Sequence, residues 1–301
     1  MIQLRDSNSD KMIVVDALSD FYRNYYRMSK VIGLHAAGFY GMIRSMFSYK
    51  KMGSDVRIVW EGKSTIRKQK DVTYKAGRKK MEGNFYEQIV DTKIFLSYFF
   101  QQYQVHDYES DDLCATIAHI RNKDDKKTII VTGDDDLHQV INENISVYSA
   151  IKQYIYSYDD RKYTTLEPWQ LLMQWGLEGD GSDGISGIKR LKNRELLVKN
   201  YCDWKGSLIL NDREFEILSE HFIENLLEDK YNIMSEKDKE KVIEGTEKIR
   251  NNMDLIRLRY VPNTFYNKIE KQDMCKELII KYNCPSLNKY LETKPEGEID
   301  E

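Results

Sequence analysis

The stretch Thr128–Val140 reads TIIVTGDDDLHQV: four β-prone residues, a Thr-Gly pair, then three successive aspartates, Asp134, Asp135 and Asp136. A short apolar run that ends on glycine and acids predicts a buried strand of a parallel sheet, finishing at the edge where such sheets carry their chemistry. Met12–Asp16 (MIVVD) and Val56–Glu61 (VRIVWE) repeat the construction, each closing on a carboxylate. Laid parallel and side by side, the three strands bring Asp16, Glu61 and the three aspartates to one rim. Two further acidic knots extend the pattern. Glu109-Ser110-Asp111-Asp112 opens a helical segment, and Asp180 and Asp183 stand in a loop, Gly176–Leu191, with five glycines.

Between the strands the texture is helical. Residues 17–27 change to a helical texture, Gly33–Met52 carries apolar residues at spacings of three and four, and the apolar Glu87–Tyr103 is expected to be helical, as is Ser110–Ile120. Asn144–Ala150 predicts a further strand and Tyr154–Tyr163 a hairpin, and Glu167–Trp175 a helix entered at Pro168 and stopped by Gly176. Past Lys192 the chain is charged and helical. Ser235–Arg250 reads as an exposed helix or linker, Leu255–Pro262 regains apolar character, and Lys294–Glu301 is an acidic tail expected to fray. The expected fold class is α/β, a central, mostly parallel sheet flanked by helices.

The 301 residues suffice for one large core, or a core with an accessory lobe, at 41% hydrophobic and 32% charged residues. No run reaches the roughly 18 apolar residues of a membrane span, and the N-terminus lacks a signal-peptide layout. Cys114, Cys202, Cys275 and Cys284 show no metal-type spacing, so reduced thiols and an intracellular, cytoplasmic protein are expected. The net charge of −3 argues against a nucleic-acid partner only until the acids are sorted, because without the nine rim candidates the rest of the chain is positive.

Lys63–Lys80 holds eight Lys and Arg against one acid, with Tyr74 in its midst. A basic run is often no more than a solvated face. Directly after an acid-tipped strand it can also grip phosphates, and the ring offers a base a stacking surface. Glu109 and Asp112 share a helix face, which suits plain N-terminal capping as well as metal binding. The Asp180–Asp183 pair suits a turn or a weak calcium loop as well.

Carboxylates in such number need compensation. Two like charges about 4 Å apart repel by about 4 kcal/mol at an effective dielectric near 20. Either protons or divalent cations must relieve them. Acid-only ligands select hard ions, Mg²⁺ with Mn²⁺ as substitute, and two such ions suit phosphodiester hydrolysis. Neither a Ser-His-Asp arrangement nor a phosphate-cradling glycine loop is found, and Leu18 stands where an aspartyl phosphatase needs its second Asp.

In order and spacing these motifs resemble those of the 5′-nuclease superfamily: flap endonucleases, the 5′-nuclease domain of bacterial DNA polymerase I, and phage 5′-exonuclease/RNase H enzymes. VVDALSDFYR is similar to the first motif and brings Asp16. VWEGK, Arg67 and YKAGR resemble VFDG…R…YKAxR and bring Glu61, Arg67, Tyr74, Lys75 and Arg78. YESDDLCATIA resembles the EADD motif, giving Glu109, Asp111 and Asp112. TGDDDLHQV resembles TxDxDxxQL, giving Asp134 and Asp136 with Asp135 at the variable position, and GDGSDGISGI resembles GDxSDNIPGV, giving Asp180 and Asp183. The likeness runs from Met12 to Leu197, with a weaker continuation near Leu255–Pro262.

The resemblance implies a nuclease core over 1–175, with a helical arch around 63–105, and a helix–hairpin–helix-like and C-terminal helical part over 176–301. It implies two Mg²⁺, one region held by Asp16, Glu61, Glu109 and Asp111. The second ion or its water shell falls to Asp112, Asp134, Asp136, Asp180 and Asp183. Lys75 and Arg78 are implied at the scissile phosphate. Arg67, Tyr74, Lys79, Lys80, Lys189, Arg190 and Lys192 are implied at the nucleic acid. Glu61 departs from the family's usual Asp. The hairpin's usual glycines are also replaced, with Arg190 and Lys192 in their places, so whether this element binds the potassium expected of the family is left open by the sequence.

The function so implied is a structure-selective 5′-nuclease acting on 5′ flaps or 5′ ends of duplex DNA or RNA/DNA hybrids, in replication or repair. It would act as a monomer, on branched or nicked DNA, with a single-strand-binding protein or sliding clamp as candidate partners and a phage as candidate source. Two competing readings are a PIN-type ribonuclease, which shares the acidic core, and a non-catalytic branched-DNA-binding protein. The basic run and the glycine-rich loop favour the 5′-nuclease.

Overall fold

The computed structural model describes residues 11–53, 55–62, 65–77, 79–81, 83–160, 166–204, 209 and 211–293. In chain order, β1 (Met12–Asp16) is followed by α1 (Ala17–Ile32), α2 (Ala37–Tyr49), β2 (Asp55–Trp60), the short α3 (Ile66–Lys70), α4 (Phe85–Phe99) and β3 (Gln101–Val105). Then come α5 (Ser110–Lys123), β4 (Thr128–Val131), β5 (Ile145–Ser149) and β6 (Tyr154–Tyr156). The remainder comprises α6 (Leu171–Glu178), β7 (Gly179–Asp180), β8 (Ile185–Ser186), α7 (Arg194–Tyr201), α8 (Asp212–Glu228), α9 (Glu236–Ile256), β9 (Tyr266–Lys268) and α10 (Cys275–Lys281).

Seven strands form one sheet in the order β6-β5-β4-β1-β2-β3-β9, parallel from β5 to β3 with antiparallel strands at both edges. All five residues of β1 are buried, because helices cover both faces of the sheet. Its side chains alternate as the pleat requires. Ile13 and Val15 enter the core formed with α1, α2, α4 and α10, whereas Met12 and Val14 enter the one formed with α5. Val15 pairs with Ile58 on one side and Val131 on the other. That register brings the carboxyl ends of β1, β2 and β4 level, and it is what assembles the acids.

Several elements differ from expectation. The helix expected over Glu87–Tyr103 stops at Phe99, and Gln101–Val105 is a strand. Its polar composition hid it: Gln102 is buried, with its amide oxygen accepting from the Trp60 indole (2.6 Å) and its amide nitrogen donating to the Lys93 carbonyl (2.8 Å). Gly33 ends α1 and does not begin α2, and α6 continues through Gly176 to Glu178. Gly176 is there for contact: a Cβ would lie 2.4 Å from Met253 of α9.

The segment expected to be an exposed helix or linker is α9, which buries Val242, Gly245, Ile249 and Met253 in a second core with α6, α7 and α8. These apolar positions follow helical spacing, but they are thin among charged neighbours. The expected boundary at 175/176 is crossed again by the end of the chain. There β9 pairs with β3, and α10 docks on α4, its Lys281 and Tyr282 both reaching Asp91 (2.6 and 2.7 Å). The tail from 294 onward lies outside the described residues. All four cysteines are free and buried, and among the described residues no helix is long and apolar enough to cross a membrane.

Candidate metal centre

Asp16 closes β1, Glu61 follows β2, and Asp134 lies three residues beyond β4. Glu109 is the N-cap of α5, so the helix begins at the same rim and presents Ser110 and Asp111 to it. The Ser110 hydroxyl stands 3.2 Å from Asp16 Oδ1 and 2.7 Å from Glu61 Oε2. Thr132 donates to Asp16 Oδ2 (3.0 Å), and Asp134 Oδ1 accepts from the Asp136 amide (2.9 Å). The chain leaves β2 through Gly62, where a Cβ would lie 1.9 Å from the Val105 carbonyl oxygen. Only glycine permits that approach, and it lets Glu61 turn toward α5.

The electrostatics are those of crowded, dehydrated anions. Burial, then Glu61 and Asp134, push the Asp16 carboxyl up to about 7. Burial together with Asp134, Asp16 and Glu61 pushes Asp111 far higher than an ordinary aspartate. Glu61, Asp134 and Asp136 are likewise raised, in each case first by burial. Asp111 retains some exposure, but its Oδ1 is buried and has no hydrogen-bond partner. A buried carboxylate oxygen left unsatisfied among other carboxylates fits a cation, and a donor set of oxygens fits a hard one. Among the described residues, no three acids stand close enough to hold an ion as they are placed. The fit therefore rests on the orphaned oxygen and the donor chemistry.

Glu109 behaves oppositely. Burial would raise it, but Arg67 and Lys75 outweigh burial and hold its carboxyl at about 2. Lys75 Nζ lies 2.8 Å from Glu109 Oε1 and 3.4 Å from Asp183 Oδ2, and these acids raise its affinity for a proton against the effect of burial. Its backbone is left-handed (φ 56°), and its amide donates to the Asp183 carbonyl (3.3 Å), which stitches the basic run to the glycine-rich loop. An L-residue held in this region at a charged site marks stored strain.

Three residues sit apart from their expected roles. Arg67, expected at the nucleic acid, is 3% exposed and forms a two-pronged pair with Asp112 (2.7 and 2.9 Å) while donating to the carbonyls of Leu255 and Arg257. Asp112, expected at the second ion, is fully buried and also accepts from the amides of Glu109 and Arg259. With its oxygens so engaged it braces α5 against the 255–259 segment. Tyr74, expected to stack on a base, is 4% exposed, its hydroxyl 3.1 Å from Glu109 and 3.0 Å from Asp183. Burial leaves its ring no open face.

Asp183 is buried at the rim, whereas Asp180 is half-buried and accepts from the Ser182 amide and hydroxyl (both 2.8 Å) in a local turn. Asp135 is exposed. Lys79, Lys80, Lys189, Arg190 and Lys192 are exposed, and Arg78 lies outside the described residues. Reading the sequence for acids missed the hydroxyls of Ser110 and Thr132 that bridge them, although each lies in the acidic motif it serves. A cavity of about 470 Å³ beside Tyr98, Phe100, Lys268 and Lys271 lies at the opposite ends of the strands and shares none of these groups.

Comparison with known proteins agrees with this geometry. Residues 11–167, just over half of the chain, match the N-terminal resolvase-like domain of 5′-3′ exonucleases. DNA polymerase I of Bacillus subtilis is 29% identical over 191 residues, 59% of this chain. The match spans 22% of that polymerase's length. The fold is similar to that of the T5 D15 protein crystallised with metal ions (TM-score 0.66, 15% identity, 93% of this chain and 96% of that one). It is equally similar to the bacteriophage T5 D15 flap endonuclease in a complex with DNA and metal ions (TM-score 0.65, 16% identity, the same coverage of both chains). Acids gathered at the carboxyl ends of a parallel sheet, the domain match over 11–167 and the shared fold agree: the chain belongs to the 5′-3′ exonuclease family.

Proposed function

We propose that this chain is a divalent-cation-dependent 5′-nuclease that hydrolyses phosphodiesters at 5′ flaps or 5′ ends of duplex DNA or RNA/DNA hybrids, in replication or repair. The observation that carries the proposal is the buried, unpartnered Asp111 Oδ1 amid Asp16, Glu61 and Asp134, all with raised proton affinity. Asp16, Glu61, Asp111, Asp134, Asp136 and Asp183 are the residues that would hold two Mg²⁺, with Mn²⁺ as substitute, and Asp180 would serve their water shell. Bound there, the pair supplies an activated water and charge neutralisation for an in-line displacement.

The chain's own residues do the rest. Glu109 stays ionised and holds the Lys75 ammonium at the rim, where it can meet a scissile phosphate. Burial of Tyr74 and Arg67 keeps Glu109 in place and excludes water behind it. Lys79 and Lys80, exposed beyond Lys75, would follow the phosphate backbone, and so would Lys189, Arg190 and Lys192, exposed on the hairpin. The D15 flap endonuclease crystallised with DNA and metal ions supports the same substrate class here.

The test is a 5′-labelled forked duplex with and without Mg²⁺, with product sizes resolved. Cleavage that needs the ion and is lost in Asp134→Asn and Asp136→Asn, both still folded, is the expected result. Activity retained in both variants overturns the proposal, and binding of the fork without any cleavage in Mg²⁺ selects the non-catalytic reading.

A further inference from the structure

The hairpin between β8 and α7, residues 187–193, rests on α9. Gly245 makes the approach possible, since a Cβ there would lie 2.3 Å from Ile188 Cδ1. One turn earlier on α9, Lys241 Nζ donates to the Arg190 carbonyl (3.0 Å) and to Asp238 Oδ1 (2.6 Å). Two turns later, Asn252 donates to the carbonyls of Gly176 and Ser186 (both 3.1 Å). On the hairpin's other side, Arg194 Nη2 donates to the Ile188 carbonyl (2.8 Å). Arg190 and Asn193 both hold the left-handed conformation (φ 55°) that glycine adopts without strain.

A potassium ion, whose binding at this element the sequence leaves open, needs several carbonyl oxygens turned to one point and free of other cations. At two of the hairpin's carbonyls that requirement fails. The Ile188 and Arg190 carbonyls already receive a guanidinium and an ammonium, so an added cation would find its donors engaged and two like charges beside them. The residues present do not fit the ion.

We propose that Lys241 and Arg194 stand where a monovalent cation would, so that the hairpin keeps its shape, and its grip on a nucleic-acid backbone, without potassium. Lys241 is tethered by Asp238, itself 5% exposed, and so is held over the hairpin at fixed geometry. Lys189, Arg190 and Lys192 project from the same turn, exposed and available to phosphates. The nucleic-acid half of this inference rests on the nuclease reading above; the cation half does not.

Thermal unfolding and forked-duplex binding, with Ca²⁺ in place of Mg²⁺ for the binding, are measured in potassium chloride and in tetramethylammonium chloride at equal ionic strength. The unaltered chain is expected to show the same midpoint and affinity in both salts. Lys241→Met is expected to unfold at a lower midpoint and lose affinity several-fold in tetramethylammonium, and to recover part of both in potassium. Lys241→Arg should behave as the unaltered chain. Lys237→Met removes an equal charge from an exposed position on the same helix and should cost clearly less.

A several-fold gain in affinity, or a raised midpoint, of the unaltered chain in potassium overturns the inference. So does a Lys241→Met chain no more responsive to potassium than its parent. Should no forked duplex bind while the midpoints of parent and variant follow the expectation, the nuclease reading fails and the hairpin inference stands.

Discussion

Replacing Asp16 by Asn should stabilise the protein in the absence of divalent ions, and only at neutral to alkaline pH. Asp16 is 5% exposed, and its carboxyl is raised from 3.8 to about 7 by burial and by Glu61 and Asp134. At about 1.4 kcal/mol per pH unit, that gap corresponds to about 4 kcal/mol by which the ionised group opposes folding. Between 3.8 and about 7 the native state binds more protons than the unfolded chain, so stability falls as pH rises through that window. Asparagine keeps a carbonyl oxygen for Thr132 or Ser110 and removes the charge. Above pH 7 with EDTA, Asp16→Asn should therefore unfold at higher temperature by several degrees, at about 2 °C per kcal/mol for a chain of this size. Near pH 4 the advantage should vanish, because the parent is then protonated as well. Saturating Mg²⁺ should reverse the order, since the parent gains stability from an ion that the variant binds weakly. Calorimetry at pH 4.5 and pH 8, with EDTA and with Mg²⁺, reads all of this. An Asp16→Asn chain equally or less stable than its parent at pH 8 in EDTA would refute the reasoning, because Asp16 would then not be under net repulsion.

Other substitutions probe the supports of the rim. Arg67→Met leaves Asp112 buried and uncompensated, and should cost about 3–5 kcal/mol in urea unfolding; the double variant Arg67→Met/Asp112→Leu should regain much of it, and no regain would show the pair is not coupled. Lys75→Ala should slow cleavage at saturating substrate with little change in fork affinity, since one phosphate contact among many adds little to binding. An unchanged single-turnover rate would remove Lys75 from the chemistry. Gly62→Ala should disturb the β2 exit and destabilise the fold by more than 1 kcal/mol or so, because its Cβ would meet backbone; an unaltered unfolding midpoint would show that the turn relaxes freely. Glu109, held at about 2, contributes stability that is present above 4.5 and lost as pH falls through about 2. Glu109→Gln should therefore lose stability at pH 6 and match its parent only in strong acid, a trend visible in pH-dependent unfolding.

The positions of Asp16, Glu61 and Asp134 were legible because strand ends are set by local sequence. An apolar run that stops on Gly or Asp places its carboxylate at the sheet's edge whatever surrounds it, and parallel pairing then aligns β1, β2 and β4. The cations were not legible in the same way. Arg67, Lys75 and Lys79 come from one basic run, yet Arg67 is buried on Asp112, Lys75 is half-buried on Glu109, and Lys79 is exposed. Nothing in the run itself sorts them. Their sorting depends on residues 188–190 positions away, the Leu255 and Arg257 carbonyls that close over Arg67.

The same dependence explains why the buried face of α9 is hidden in the sequence. Its charge made it look solvated, but Gly245, Ile249 and Met253 gain meaning only against Ile188 and Gly176, which lie far back in the chain. A strand that ends in acid announces where its carboxylate will stand, whereas a cation's place is decided by the partner it finds. It follows that, in this fold, substitutions among the rim acids should alter ion dependence in a manner foreseeable from sequence. Substitutions among the cations should split sharply between stability and substrate effects. Arg67 and Lys79, twelve residues apart, are the sharpest test of that division, and equal loss of stability in their methionine variants would contradict it.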